Sequence, residues 1–249
     1  MHLERNPEKL ADLHSNVAYL FDFDGTLVDL VPNPNKVMVS SELLTNLKII
    51  SQKADCAFAI VTGRALSQLD RFLNGLQLPA VGNHGAEYRP NPENAVEHLA
   101  SEMPASISEA MHDISDQRGC FFEDKTFSIS LHLPFMHAND DIESDLLKAL
   151  GNHRNNYLIR KVGRTYEILQ RGISKGTGIA HLMKHPRFVG RRPIYVGDDV
   201  HIDESLNLLL GMGGSFIPVG PQHNTAYDPQ GHLLTVQDVE EIISAIAKF

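Results

Sequence analysis

Cysteine is scarce in this chain of 249 residues, with only Cys56 and Cys120 present. Two thiols cannot build a disulfide framework and leave no room for a four-cysteine zinc site. Both are expected to be buried and to behave as small hydrophobes. Cations are in deficit as well: 22 Lys and Arg stand against 31 Asp and Glu, a net charge of −9. That sign repels phosphate backbones and anionic headgroups at long range, which argues against nucleic acid or a membrane surface as a partner. Long apolar runs are missing too. Val17–Phe21 and Cys56–Val61 fall far short of the ~20 residues a membrane helix needs. The opening Met1-His2-Leu3-Glu4-Arg5 has no apolar signal-peptide core, so a cytoplasmic protein is expected. No internal repeat or low-complexity tract occurs, and the sequence sets no oligomeric state and is compatible with a monomer.

What is present is ordinary globular composition, 42% apolar and 21% charged. The length allows one large domain, or a core with a smaller partner, at roughly 150 residues per domain. Apolar runs alternate with amphipathic stretches, the rhythm of an α/β chain. Asn6-Pro7 reads as the start of a short helix. Strands are expected at Val17–Phe21, Ala57–Val61 and Pro79–Val81, with helices over Ser41–Gln52 and Ala65–Leu73 between them. The proline- and asparagine-rich stretch Tyr88–Asn94 reads as a boundary. Beyond it Met103, Ile107, Met111 and Ile114 keep helical spacing. The runs Cys120–Glu123, Phe127–Leu133, Tyr157–Val162 and Thr165–Leu169 read as strands of an antiparallel sheet with helices on one face. The βα rhythm resumes at Lys175, with strands at Ile194–Val196 and Phe216–Val219 and a closing helix from Val239. The expected architecture is a Rossmann-like parallel-sheet core, residues 1–87 and 171–249, interrupted by an inserted α+β domain over 88–170.

Four short segments carry chemistry, and each lies at a strand end or a helix start. Asp22-Phe23-Asp24-Gly25-Thr26 follows the first strand, where ligands of open α/β sheets bind. Residues two apart on an extended chain point the same way, which brings the Asp22 and Asp24 carboxylates into one small volume. Two such charges ~4 Å apart repel by roughly 4 kcal/mol at an effective dielectric of 20, so the pair needs a cation or a shared proton. A calcium loop would close with Glu at its twelfth position, but Asn33 stands there. Gly197-Asp198-Asp199 follows a later strand, and if that strand neighbours the first, Asp22, Asp24 and Asp198 make an oxygen-rich site suited to Mg²⁺. Thr62-Gly63-Arg64 and Ser174-Lys175-Gly176 offer a hydroxyl, helix-start N–H groups and a lysine, the equipment for holding a phosphoryl group.

In that order the four segments resemble the motifs of the haloacid dehalogenase superfamily of phosphatases, and the insert falls where that superfamily carries type-2 caps. A closer resemblance is to the trehalose-6-phosphate phosphatase family. It rests on Gly82-Asn83-His84-Gly85-Ala86-Glu87, Glu123-Asp124-Lys125, Ser130-Leu131-His132 and Glu167-Ile168. The chain departs from that family in reading His132-Leu133-Pro134 for histidine-tyrosine-arginine, and in one extra residue before Asp203-Glu204. The resemblance implies a Mg²⁺-dependent phosphatase acting on a sugar phosphate through an aspartyl-phosphate. Asp22 would be the nucleophile and Asp24 the acid–base. Thr62 and Lys175 would hold the phosphoryl group, and Asp22, Asp24 (through its carbonyl) and Asp198 the metal. Phe23, Gly63 and Arg64 would join Asp22 and Asp24 in binding substrate, and Glu123, Lys125 and Glu167 on the cap would read the sugar. The bland reading keeps His84 as a structural turn residue and Glu87 as support for a hinge. Another sugar phosphate, such as sucrose phosphate, or a phosphomutase-type transfer are the alternatives.

Overall fold

The apolar stretch Val17–Phe21 forms strand β1, buried along its whole length. Val17, Tyr19 and Phe21 face one hydrophobic cluster, and Ala18 and Leu20 face another, as the two-residue period of a strand dictates. The computed structural model describes residues 16–31, 33–54, 56–134, 142–198, 203–220 and 234–248. The Asn6-Pro7 helix start lies outside them.

Strand β1 sits inside a seven-stranded sheet. Parallel strands β2 (Ala57–Val61) and β3 (Ala80–Gly82) extend it on one side, and β10 (Arg192–Gly197) and β11 (Ser215–Pro218) on the other. Chain order therefore reverses between β1 and β10. That is the switch point of a doubly wound sheet, where a crevice opens at the strands' carboxyl ends. Helices α1 (Ser41–Ser51), α2 (Leu66–Phe72) and α7 (Val236–Lys248) cover the Val17 face through Leu43, Leu47, Leu69, Ile242 and Ile246. Helices α5 (Lys175–Leu182) and α6 (Asp203–Gly211) cover the Ala18 face through Ile179, Leu182, Leu206 and Leu209.

The stretch read as a boundary instead begins by extending the sheet. Strand β4 (Glu87–Arg89) pairs antiparallel with β3, and the two-residue β5 (Glu97–His98) follows it. Arg89 is the reason. Its guanidinium donates to both carboxylate oxygens of Asp70 at 2.8 and 2.7 Å and to the Leu78 carbonyl at 3.0 Å, so the segment is held inward although Pro90 and Pro92 stop the strand. The described residues divide into two compact units, one up to Glu97 and from Ser174 on, the other His98–Ile173. The joints thus fall later than the expected 88 and 171.

In the second unit, β6 (Phe121–Asp124), β7 (Ile129–His132), β8 (Tyr157–Val162) and β9 (Thr165–Gln170) form an antiparallel sheet of order β6-β7-β9-β8. Helices α3 (Ala105–Arg118) and α4 (Glu143–Leu150) pack Ile107, Met111, Leu146 and Leu150 on Ile129, Leu131, Tyr166 and Ile168. Residues of the other parity turn away from that core. Cys56 is buried, and burial pushes its thiol up. Cys120 is only partly buried. No helix among the described residues is long and apolar enough to cross a membrane.

Candidate active site

Asp22 continues the even side of β1, the side that faces α5. Its N–H donates to the Val196 carbonyl of β10 at 2.8 Å, which ties the residue to the switch point. Ser174 caps α5 by accepting from the Thr177 N–H at 3.2 Å, and this sets Lys175 at the first helical position. From there Lys175 Nζ donates to Asp22 Oδ2 at 2.6 Å, with the Lys175 side chain 12% and the Asp22 side chain 5% exposed. Tyr195 Oη on β10 donates to the same oxygen at 3.3 Å, and the Phe23 N–H donates to Asp22 Oδ1 at 2.7 Å. The Phe23 side chain itself is in the core.

Asp24 turns elsewhere. Arg64 Nε donates to Asp24 Oδ2 at 2.7 Å and Nη2 to Oδ1 at 2.6 Å, a bidentate grip. The guanidinium lies over the Phe72 ring at 4.6 Å and the Phe23 ring at 5.7 Å. Arg64, expected among the substrate-binding groups, therefore has its fork on Asp24 in this structure. Thr62 is fully buried, and its Oγ1 accepts from the Arg64 N–H at 3.1 Å. Gly63 allows the His84 ring to approach, since a Cβ there would lie 2.4 Å from His84 Cε1. His84 has φ of 56°, in the left-handed region. Glu87 Oε2 accepts from the Leu66 N–H at 2.8 Å, so it caps α2.

Asp198 stands at the end of β10 beside the first motif. A Cβ on Gly25, whose φ is +74°, would lie 2.1 Å from Asp198 Oδ2, so glycine is needed for both the turn and the close approach. Among the described residues no three His, Cys, Asp or Glu side chains gather into a metal cluster. The Asp22 and Asp198 carboxylates stand at this end of the sheet, while the Asp24 carboxylate is on Arg64. Asp199 lies outside the described residues.

The model of the trehalose-phosphatase family matches residues 20–207. The chain belongs to the trehalose-phosphatase family. Trehalose-6-phosphate phosphatase of Escherichia coli (strain K12) is 29% identical over 211 residues, 84% of this chain and 79% of its own. The solved structure of the C. albicans trehalose-6-phosphate phosphatase C-terminal domain covers 99% of this chain and 97% of its own, with a TM-score of 0.81 at 19% identity. An Aspergillus fumigatus trehalose-6-phosphate phosphatase structure covers 99% and 98%, with a TM-score of 0.65 at 22% identity. At those identities the structures speak for the fold. As a member of the trehalose-phosphatase family, the chain is a phosphoric monoester hydrolase.

On the inserted unit, register pairs Glu123 with Ser130, Ser130 with Glu167, and Glu167 with Arg160. One cross-strand row thus carries all four on the face opposite the helices. Glu123 and Glu167 are not on adjacent strands, since β7 lies between them. Lys125 sits just beyond β6, with Nζ 3.6 Å from Glu123 Oε2. His132 links Glu123 Oε2 at 3.4 Å to Thr165 Oγ1 at 2.9 Å. Arg160 donates from Nε and Nη2 to Glu167 Oε2 at 2.8 and 2.6 Å. Sequence reasoning missed Arg160, His132 and Tyr195 as partners of the named residues. Strand parity held the signal: Tyr195 shares its side of β10 with the α5 face on which Lys175 lies.

Proposed function

We propose that the chain hydrolyses trehalose 6-phosphate to trehalose and phosphate, with Asp22 as the covalent nucleophile. The observation that supports this most is the Lys175–Asp22 contact of 2.6 Å at the switch point of the sheet. An Asp22 oxygen forms the bond to phosphorus as the bond from phosphorus to the sugar oxygen breaks. Asp24, off the Arg64 fork and protonated at this stage, gives its proton to that oxygen. Its carboxylate then takes a proton from the water that attacks phosphorus, and the Asp22–phosphorus bond breaks to release phosphate. The Lys175 ammonium and the Thr62 hydroxyl bind the phosphoryl oxygens.

Hard oxygen donors suit Mg²⁺, and Asp22, Asp198 and the Asp24 carbonyl would hold it. When bound, it supplies the positive charge that lets an anionic carboxylate approach a phosphate. Glu123, Lys125 and Glu167 read the sugar: carboxylates accept from its hydroxyls and the ammonium donates to them. The test is phosphate release from trehalose 6-phosphate by the native chain and by Asp22→Asn. The native chain should turn over and the folded variant should not. Substantial turnover by folded Asp22→Asn would remove the covalent route.

A further inference from the structure

Tyr195 is a buried phenol on β10, stacked on Phe216 with ring centroids 5.8 Å apart. Gly197, two residues on, leaves room for it, because a Cβ there would come within 3.0 Å of Tyr195 Cζ and Oη. The hydroxyl stands between two charged groups. It donates to Asp22 Oδ2 at 3.3 Å and accepts from Lys175 Nζ at 3.4 Å, while Lys175 Nζ and Asp22 Oδ2 are 2.6 Å apart. A bond between hydroxyl and carboxylate is usually 2.5–2.7 Å, so the Tyr195 contact is a long one. The reason is local: the ammonium already occupies Oδ2 at 2.6 Å.

We infer that Tyr195 is a positioning residue for the nucleophile. This rests on the proposed roles of Asp22 and Lys175. When the Lys175 ammonium moves onto a phosphoryl oxygen, Asp22 Oδ2 gives up its nearest donor. The Tyr195 hydroxyl, already aimed at that oxygen, shortens its bond and keeps the carboxylate from swinging, while the Phe23 N–H holds Oδ1. The phenol is thus a reserve donor whose contribution grows along the reaction path, so its removal should act on kcat more than on KM.

The test is Tyr195→Phe, which keeps the ring and its stacking and deletes only the hydroxyl. Turnover per folded molecule is measured on trehalose 6-phosphate and on an aryl phosphate, beside melting temperature and an Asp22→Asn control. The expected result is a fall in kcat of about tenfold, equal to about 1.4 kcal/mol, by the same factor on both substrates, with KM nearly unmoved. Unchanged kcat, a change confined to KM, or a loss on the sugar phosphate alone would overturn the inference. The control separates the two ideas. Inactive Asp22→Asn with fully active Tyr195→Phe rejects only the positioning role, whereas active Asp22→Asn rejects the nucleophile on which it rests.

Discussion

Arg64 grips Asp24 with two bonds of 2.7 and 2.6 Å, while its guanidinium carbon lies 4.6 Å from the centre of the Phe72 ring. Only a planar, forked cation can do both, so the pair fixes where the Asp24 carboxylate starts before substrate arrives.

Arg64→Lys keeps the charge and loses the fork. On trehalose 6-phosphate kcat should fall by roughly tenfold, about the worth of one charge-assisted hydrogen bond. Asp24→Asn should lose on the order of 10²–10⁴, the scale of one general acid or base. Both losses should shrink on aryl phosphates, whose leaving groups need less protonation. Steady-state kinetics on the two substrates measures this, and equal losses on both would assign Arg64 and Asp24 to structure alone.

Much of this was legible in the sequence. β1 and β2 are legible as apolar runs, because burial on both faces leaves a plain pattern. Strand β4 was not legible, since three residues before a proline-rich turn carry no period. What holds it is Arg89 on Asp70, a pairing across 19 positions that no local pattern encodes. The motif residues announced themselves by standing at strand ends. Their pairings did not: Arg64 on Asp24, Arg160 on Glu167 and Tyr195 on Asp22 are contacts made by topology and register.

The polar row of the inserted unit gives a second prediction. Lys125→Ala removes the ammonium beside Glu123, and kcat/KM for trehalose 6-phosphate should fall by about 10- to 150-fold, at 1.4 kcal/mol per tenfold. Glu123→Ala and Glu167→Ala should fall in the same sense. An aryl phosphate makes no such contacts, so its hydrolysis should hardly move. Parallel loss of both activities, or of neither, would separate this face from sugar reading.

The start of α7 gives a prediction about pH. Asp238 Oδ2 accepts from the Thr235 N–H and hydroxyl, both at 2.7 Å, and these bonds hold its carboxyl below the usual carboxylate range. A depressed folded value contributes stability that is present above the ordinary carboxylate pKa and is lost as pH falls through the folded one. Asp238→Asn should therefore cost about 0.3–1 kcal/mol at neutral pH. That difference should shrink below about pH 4 and vanish in stronger acid. Denaturant melts at pH 7 and pH 2.5 would check it, and a gap that widened in acid would contradict it.

The most direct measurement is phosphate release from a panel of sugar phosphates at saturating Mg²⁺ and again after chelation. The account predicts that trehalose 6-phosphate gives the highest kcat/KM, well above sucrose 6-phosphate, glucose 6-phosphate and an aryl phosphate, and that chelation abolishes all four. Turnover of sucrose 6-phosphate at or above that of trehalose 6-phosphate, or full activity after chelation, would contradict it.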